Sequence, residues 1–214
     1  MTDIQIDTFI ETITDFDFTL PPKALDLLQE YVDLLFRANR RTNLVSSTDL
    51  PIFWTRHILD SIAPLLLKIV SGPAELLDIG SGAGLPGIPI AICAPNLDVT
   101  MVESIGKKAR FIERAVSALD LPNAHAEVRR YESLDRMLTY DFCVSRAVSS
   151  VADMLPSISR LVRPGGKAIF YKSREFASEL SESNVFDEFG SPTVHSMGNC
   201  AAFGGRVLIV FERL

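Results

Sequence analysis

Leu76-Leu77-Asp78-Ile79 runs directly into Gly80-Ser81-Gly82-Ala83-Gly84, an apolar strand followed by a turn in which every second residue is glycine. Glycine tolerates positive φ and lets a ligand approach the main chain, so this pattern at a strand's carboxyl end can cradle a cofactor. The spacing Gly80-x-Gly82-x-Gly84 is one residue shorter than the G-x-G-x-x-G of a dinucleotide site, and Asp78 stands two positions before its first glycine. A pyrophosphate on the following helix N-terminus would be repelled by that carboxylate. S-adenosylmethionine carries a sulfonium and an ammonium, which the same acid attracts. The turn is therefore assigned to a methyl donor, against the plain alternative of a tight strand-to-helix connection with no ligand. Asp98-Val99-Thr100-Met101-Val102-Glu103 reads as a second strand that closes on an acid about 20 residues beyond the turn, where a ribose-binding carboxylate belongs. Glu103 is predicted to take that role.

These residues need a scaffold, and the composition supplies one. A chain of 214 residues that is 47% hydrophobic and 22% charged is long enough for one well-buried domain with an appendage. No apolar run reaches the roughly 20 residues of a membrane span, and the acidic start with Asp3, Asp7 and Glu11 does not read as a signal peptide. A cytoplasmic protein is expected. Cys93, Cys143 and Cys200 are widely separated in apolar settings, which fits reduced core thiols better than disulfides or a zinc site. His57, His125 and His195 are equally scattered, and no metal is expected.

Charge is distributed unevenly. Residues 1–36 carry −7 and residues 175–214 carry −4, so the net −6 leaves +5 on residues 37–174. Within that middle lie Arg37, Arg40 and Arg41, then Lys107, Lys108, Arg110 and Arg114, then Arg129 and Arg130. Shared on one face they would neutralise phosphates; spread out they are solvated helix surfaces.

The positioning elements follow from periodicity. Ile6, Phe9, Ile10 and Ile13 repeat at helical spacing, and after Pro21-Pro22 a second helix carries Leu25, Leu28, Val32 and Leu35. Thr48 or Asp49 is predicted to cap a third helix through Phe53, Trp54, Ile58 and Ile62, which Pro64 kinks or ends. Residues 1–72 thus form a helical extension before a domain at 73–214. There the chain alternates strands near 75–79, 98–103, 124–128, 140–145, 166–171, 192–197 and 206–211, with helices between the first six. That rhythm predicts an α/β fold with a seven-stranded, mostly parallel sheet and helices on both faces. The last two strands share a glycine-bearing loop and are expected to pair antiparallel at the edge. Pro164 should stop a helix ahead of a Gly165-Gly166 turn, and 173–191 should form a surface helix and a mobile loop.

Taken together, these residues resemble the class I S-adenosylmethionine-dependent methyltransferases, a Rossmann-like fold. Asn39-x-x-x-Asn43-Leu44, Arg56-His57-Ile58-Leu59-Asp60-Ser61 and Asp78 through Pro89 narrow the resemblance to the bacterial glucose-inhibited division protein B family, also called small-subunit rRNA methyltransferase G. Lys107 with Arg110-Phe111, Tyr140-Asp141 with Ser145-Arg146-Ala147, and Pro164-Gly165-Gly166 extend it over nearly the whole chain. The resemblance implies methylation of N7 of one guanine in the 530 loop of 16S ribosomal RNA. It also implies that Gly80, Leu85, Tyr131, Glu132 and Arg146 line the cofactor site beside Asp78, Gly82, Gly84 and Glu103. The chain departs from the family at Tyr131 and Arg129, near the expected adenine, and at Ala38 and Val45 in the extension.

Guanine N7 has an in-plane lone pair and no proton to lose, so its methylation needs alignment rather than a general base. Arg146, at the end of the fourth strand, is the candidate for holding the substrate, through guanine O6 or a phosphate. The alternative is a salt bridge from Arg146 to Asp78 or Glu103. Arg40, Arg41, Lys107, Lys108 and Arg110 are candidate RNA contacts, with 16S rRNA, the small ribosomal subunit or its assembly intermediate as partner and a monomer expected. His57 and Asp60, three residues apart, are expected to pair locally and brace the extension. Competing readings are a small-molecule methyltransferase of the same fold and a non-catalytic RNA- or nucleotide-binding module.

Overall fold

The computed structural model describes residues 3–135, 139–146, 150–173, 188–196 and 203–214. Helix α1 (Asp3–Asp15) buries Phe9 and Ile13, and α2 (Ala24–Thr42) buries Leu28, Tyr31, Val32 and Leu35, so helical spacing does select the inward stripes. Asn43 ends α2 in the left-handed conformation, with φ 47°. The Asn39 side chain closes that end: its Oδ1 accepts from the Leu44 and Val45 amides at 2.6 and 3.0 Å, and its amide donates to the Val45 carbonyl.

The predicted third helix is three pieces. Ser46, not Thr48 or Asp49, caps a 3₁₀ segment (Ser47–Ile52), then comes a π-turn (Trp54–Ile58), then α3 (Leu59–Leu66). Pro51 has no N–H to continue an α-helical ladder, and the following turn widens, with the Leu59 N–H bonded to the Trp54 carbonyl. Trp54 and Ile58 are both fully buried by this arrangement. Pro64 lies inside α3, two residues before its end at Leu66, and its carbonyl accepts from Ile69 and Val70 in the turn beyond.

The sheet contains β1 (Ala74–Ile79), β2 (Leu97–Glu103), β3 (Ala124–Val128), β4 (Tyr140–Arg146), β5 (Val162–Ser173), β6 (Thr193–Ser196) and β7 (Arg206–Glu212) in the order β3-β2-β1-β4-β5-β7-β6. The first five pair in parallel; β7 is antiparallel to both β5 and β6, as expected of the final hairpin. Side chains alternate between the faces. Leu76, Val99, Met101, Val144, Ile169 and Leu208 pack against α1–α3, α4 (Gly87–Cys93) and α5 (Gly106–Ala118). Leu77, Ile79, Cys143, Ala168, Phe170 and Ile209 pack against α6 (Val151–Ile158) on the other side.

Two connections differ from expectation. Between β3 and β4 the described residues hold only a 3₁₀ turn, Tyr131–Ser133, instead of an α-helix. The Arg160 guanidinium donates to the carbonyls of Tyr131, Glu132 and Leu134, satisfying acceptors that a helix would have used internally. Pro164 does not stop a helix either, because α6 ends at Ile158 and passes through a 3₁₀ turn, Ser159–Leu161, into β5. Pro164-Gly165-Gly166 instead forms an irregularity inside β5, where pairing with β4 jumps from Tyr140↔Val162 to Phe142↔Lys167. Gly165 takes φ 76° there, and Gly165 and Gly166 exchange hydrogen bonds with Arg213. The helix and loop expected over 173–191 fall mostly outside the described residues.

Candidate active site

β1 and β2 deliver the site through their carboxyl ends. The glycine turn leaves β1 with Gly80, Gly82 and Gly84 at φ 71°, 59° and 87°, conformations that side chains with a Cβ rarely adopt. Gly80 and Ser81 donate to the Val102 carbonyl, fastening the turn to the neighbouring strand. Glu103 completes the link: its Oε2 accepts from Gly82 N–H at 2.9 Å and its Oε1 from Ile105 N–H at 2.8 Å. Glu103 is only 6% exposed, and each carboxylate oxygen retains a lone pair that can accept from a ligand hydroxyl.

Asp78 lies beneath this turn, fully buried. Its Oδ2 accepts from Gly87 N–H at 2.9 Å, at the start of α4, while its buried Oδ1 has no hydrogen-bond partner. Burial pushes its pKa up to about 7, opposed by the bond from Gly87 and by the charge of Arg146, while the Ser81 hydroxyl donates to the Asp78 main-chain carbonyl at 3.0 Å. The N-terminus of α4 is therefore already occupied by a carboxylate. A pyrophosphate seated there would meet that negative group, whereas a cationic ligand end would complement it.

Beside the turn is a cavity of about 240 Å³, with Ile79, Gly80 and Val102 on one side and Tyr131 and Glu132 on the other. Arg129 and Arg130 reach its edge. Leu85 is buried in the turn, its N–H bonded to the Ser81 carbonyl at 2.9 Å. An apolar wall with a half-buried tyrosine suits a planar ring, and Glu103 is the adjacent hydroxyl acceptor. The residues fit S-adenosylmethionine on these grounds: a ring-sized cavity, a strand-end carboxylate and a buried acid with one unpartnered oxygen.

Arg146 ends β4, next to β1 in the sheet, with its side chain 15% exposed. Its partner is neither Asp78 nor Glu103: Nη1 lies 3.5 Å from Asp60 Oδ2, and Arg206 at the start of β7 approaches the same oxygen at 3.8 Å. Asp60 is 2% exposed and is raised in pKa by burial, against the lowering effect of the two arginines. The expected His57–Asp60 pair is not formed. His57 Nε2 bonds Asp49 at 3.0 Å, since Asp60 is drawn inward to the arginines. Burial and the Arg146 charge push the His57 pKa down to about 4, so at neutral pH the imidazole is uncharged and donates to Asp49.

The extension also reaches the site directly. Tyr31 donates to the Ala83 carbonyl in the glycine turn, and Tyr171 of β5 donates to the Ser61 carbonyl of α3, both at 2.8 Å. Sequence reasoning gave no role to Tyr31, Gly87, Arg160 or Arg206. Each acts across elements distant in the chain, and only the strand-end position of Arg206 offered any signal.

The candidate RNA residues fall into two groups. Lys107, Lys108 and Arg110 occupy the first turns of α5, immediately after the Glu103–Ile105 link, while Arg40 and Arg41 end α2. No helix among the described residues is long and apolar enough to cross a membrane, and among them no group of three or more His, Cys, Asp or Glu side chains could hold a metal ion. Cys93 and Cys143 are buried thiols whose pKa values burial raises.

Solved methyltransferases share this architecture. A methyltransferase from Geobacter sulfurreducens superposes with a TM-score of 0.60 at 17% identity, covering 86% of this chain and 88% of that one. TrmN from Thermus thermophilus gives 0.59 at 17%, covering 75% and 50%. Sequence relatives are nearer. Proteins named ribosomal RNA small subunit methyltransferase G match at 44% identity in Xanthomonas oryzae (87% of this chain, 85% of the relative) and at 37% in Sorangium cellulosum (82% and 75%). One from Oenococcus oeni matches at 30%, over 97% of this chain and 89% of its own length. The model of the GidB family, rRNA small subunit methyltransferase G, covers residues 24–201, including the glycine turn, Glu103 and the Asp60–Arg146 pair; the chain belongs to that family.

Proposed function

We propose that this protein methylates N7 of a guanine in the 530 loop of 16S ribosomal RNA, with S-adenosylmethionine as methyl donor. The observation that carries the reading is the glycine turn fastened to the Glu103 carboxylate at the carboxyl ends of β1 and β2, within a chain of the small-subunit methyltransferase G family. S-adenosylmethionine, when bound, supplies an electrophilic methyl group on a sulfonium. Glu103 accepts from the ribose hydroxyls, Tyr131 and Ile79 flank the adenine, and Asp78 provides negative potential under the cationic methionine end. Gly80, Gly82, Gly84 and Leu85 set the main-chain curve against which the ligand lies, and Glu132 borders the ring cavity.

The chain does not need a general base, because the reacting nitrogen loses no proton. Its contribution is alignment and a polar setting for charge that moves onto the purine. Arg146 holds the base or its phosphate, and Asp60 with Arg206 fixes the direction of that guanidinium from two other elements. Lys107, Lys108 and Arg110 beside the cofactor, and Arg40 and Arg41 on α2, contact the RNA backbone.

The test is methyl transfer to small ribosomal subunits lacking the modification, with the labelled nucleotide mapped. Incorporation at N7 of a 530-loop guanine is expected; absence of transfer, or transfer elsewhere, refutes the assignment. In the same assay Arg146→Lys should lower kcat/KM at least tenfold, since a point ammonium cannot reproduce a planar fork. Near-parental activity would remove the specific role of that residue.

A further inference from the structure

A depression of about 520 Å³ lies between α2 and α5, away from the glycine turn. Its floor is apolar, from Leu34, Ala38, Phe111 and Ala115, and four arginines stand around it: Arg37, Arg40, Arg41 and Arg114. Cations in the last turn of a helix stabilise its negative end, which accounts for Arg40 and Arg41. It does not account for Arg37, a turn earlier, or for Arg114, which comes from another helix.

Four guanidinium groups around one hollow repel one another. Among the described residues none of the four forms an ion pair with a carboxylate, and Arg114 Nε donates only along its own helix, to the Arg110 carbonyl at 3.0 Å. In a chain of net charge −6, a concentration of unpaired cations of this kind is complete only with an external polyanion. Lys107 and Arg114 are seven residues apart and share a stripe of α5, so a basic track about 10 Å long leads from the cofactor edge to the hollow. Guanidinium forks match phosphate oxygens, and an apolar floor accepts the face of a base or sugar.

We infer that this depression docks the phosphodiester backbone of the RNA substrate at a point remote from the reacting base. The inference rests on the RNA reading above and adds Arg37 and Arg114 as contacts that act outside the reaction centre.

The experiment uses the full chain and a small-subunit RNA fragment containing the 530 loop, with binding measured across a salt series. The double variant Arg37→Ala/Arg114→Ala should lose about tenfold in affinity at low salt. Its slope of log affinity against log salt should flatten by about 0.7 for each phosphate contact removed from single-stranded RNA. Calorimetric affinity for S-adenosylmethionine should stay at the parental value, which reports an intact fold. The pair Arg37→Lys/Arg114→Lys should recover the slope but only part of the affinity. An unchanged slope in the alanine pair, while the parent still binds and methylates the fragment, overturns the docking site and leaves the enzymatic reading intact. A parent that binds no such RNA overturns both. Binding of inorganic phosphate or anionic vesicles that needs these arginines while RNA binding does not would also overturn the inference, in favour of a small-anion or lipid site.

Discussion

Asp78 and His57 are buried ionisable groups whose protonation pulls stability in opposite directions. Asp78 titrates near 7 in the folded protein and near 3.8 when exposed, so the folded state holds the proton more tightly and stability falls as pH rises between those values. His57 titrates near 4 folded and 6.5 unfolded, so the folded state resists protonation and stability is lost as pH falls through that window. Each contribution is roughly 3–4 kcal/mol. Over pH 4 to 6.5 they oppose each other. Relative to the parent protein, Asp78→Asn should therefore make urea-derived stability rise more steeply with pH, and His57→Gln should make it rise less steeply or fall. Parallel pH profiles for parent and variants would show that neither burial matters to folding. Asp60 adds to the Asp78 trend, because burial raises its pKa as well.

At the scale of elements, glycine is required for two separable reasons. Gly87 does not have a left-handed backbone, yet an added Cβ would lie 2.5 Å from Met101 Cγ and 2.8 Å from Asp78 Oδ2. Gly165 has open space around it but takes φ 76°. Gly87→Ala should thus cost about 1–3 kcal/mol by overpacking and weaken S-adenosylmethionine binding through Asp78, whereas Gly165→Ala should cost about 1–2 kcal/mol of backbone strain and spare binding. Chemical denaturation paired with calorimetry distinguishes them; equal losses of binding in both would break the proposed link from α4 to the ligand. The strand rhythm and the final hairpin were legible in the sequence, since short apolar runs and glycine-bearing loops are local signals. The π-turn at Trp54–Ile58 and the 3₁₀ turn at Tyr131–Ser133 were not, because each is decided by a distant partner: the core that receives Trp54, and Arg160 taking three carbonyls. The Asp60–Arg146–Arg206 cluster was hidden for the same reason, with its members drawn from α3, β4 and β7.

For the molecule as a whole, charge and core have different geographies. Acid dominates residues 1–36 and base dominates the middle, so the acidic total understates how well the middle of the chain can meet a polyanion. The apolar interior ignores that division: Phe9, Leu28, Val32, Trp54 and Ile62 from the leading helices belong to the same buried cluster as Leu76, Met101 and Ile169 from the sheet. Helical periodicity made the helices of the extension legible in the sequence; their union with the sheet needed three dimensions. A chain begun at residue 73 should fail to give a stable monomer, read as aggregation in gel filtration and loss of a cooperative melt. Recovery of a compact, sharply melting fragment would contradict the continuity of the core.

The Tyr31 hydroxyl on the Ala83 carbonyl gives that shared interior a further meaning. A ligand that stiffened the glycine turn would also stiffen the far end of this bond, so occupancy of the pocket would be felt on the helix that carries Arg37 and Arg40. Loading the small molecule first would then leave less freedom to be lost when the large one arrives, an entropic coupling that favours an ordered encounter and would register as slower amide exchange along α2.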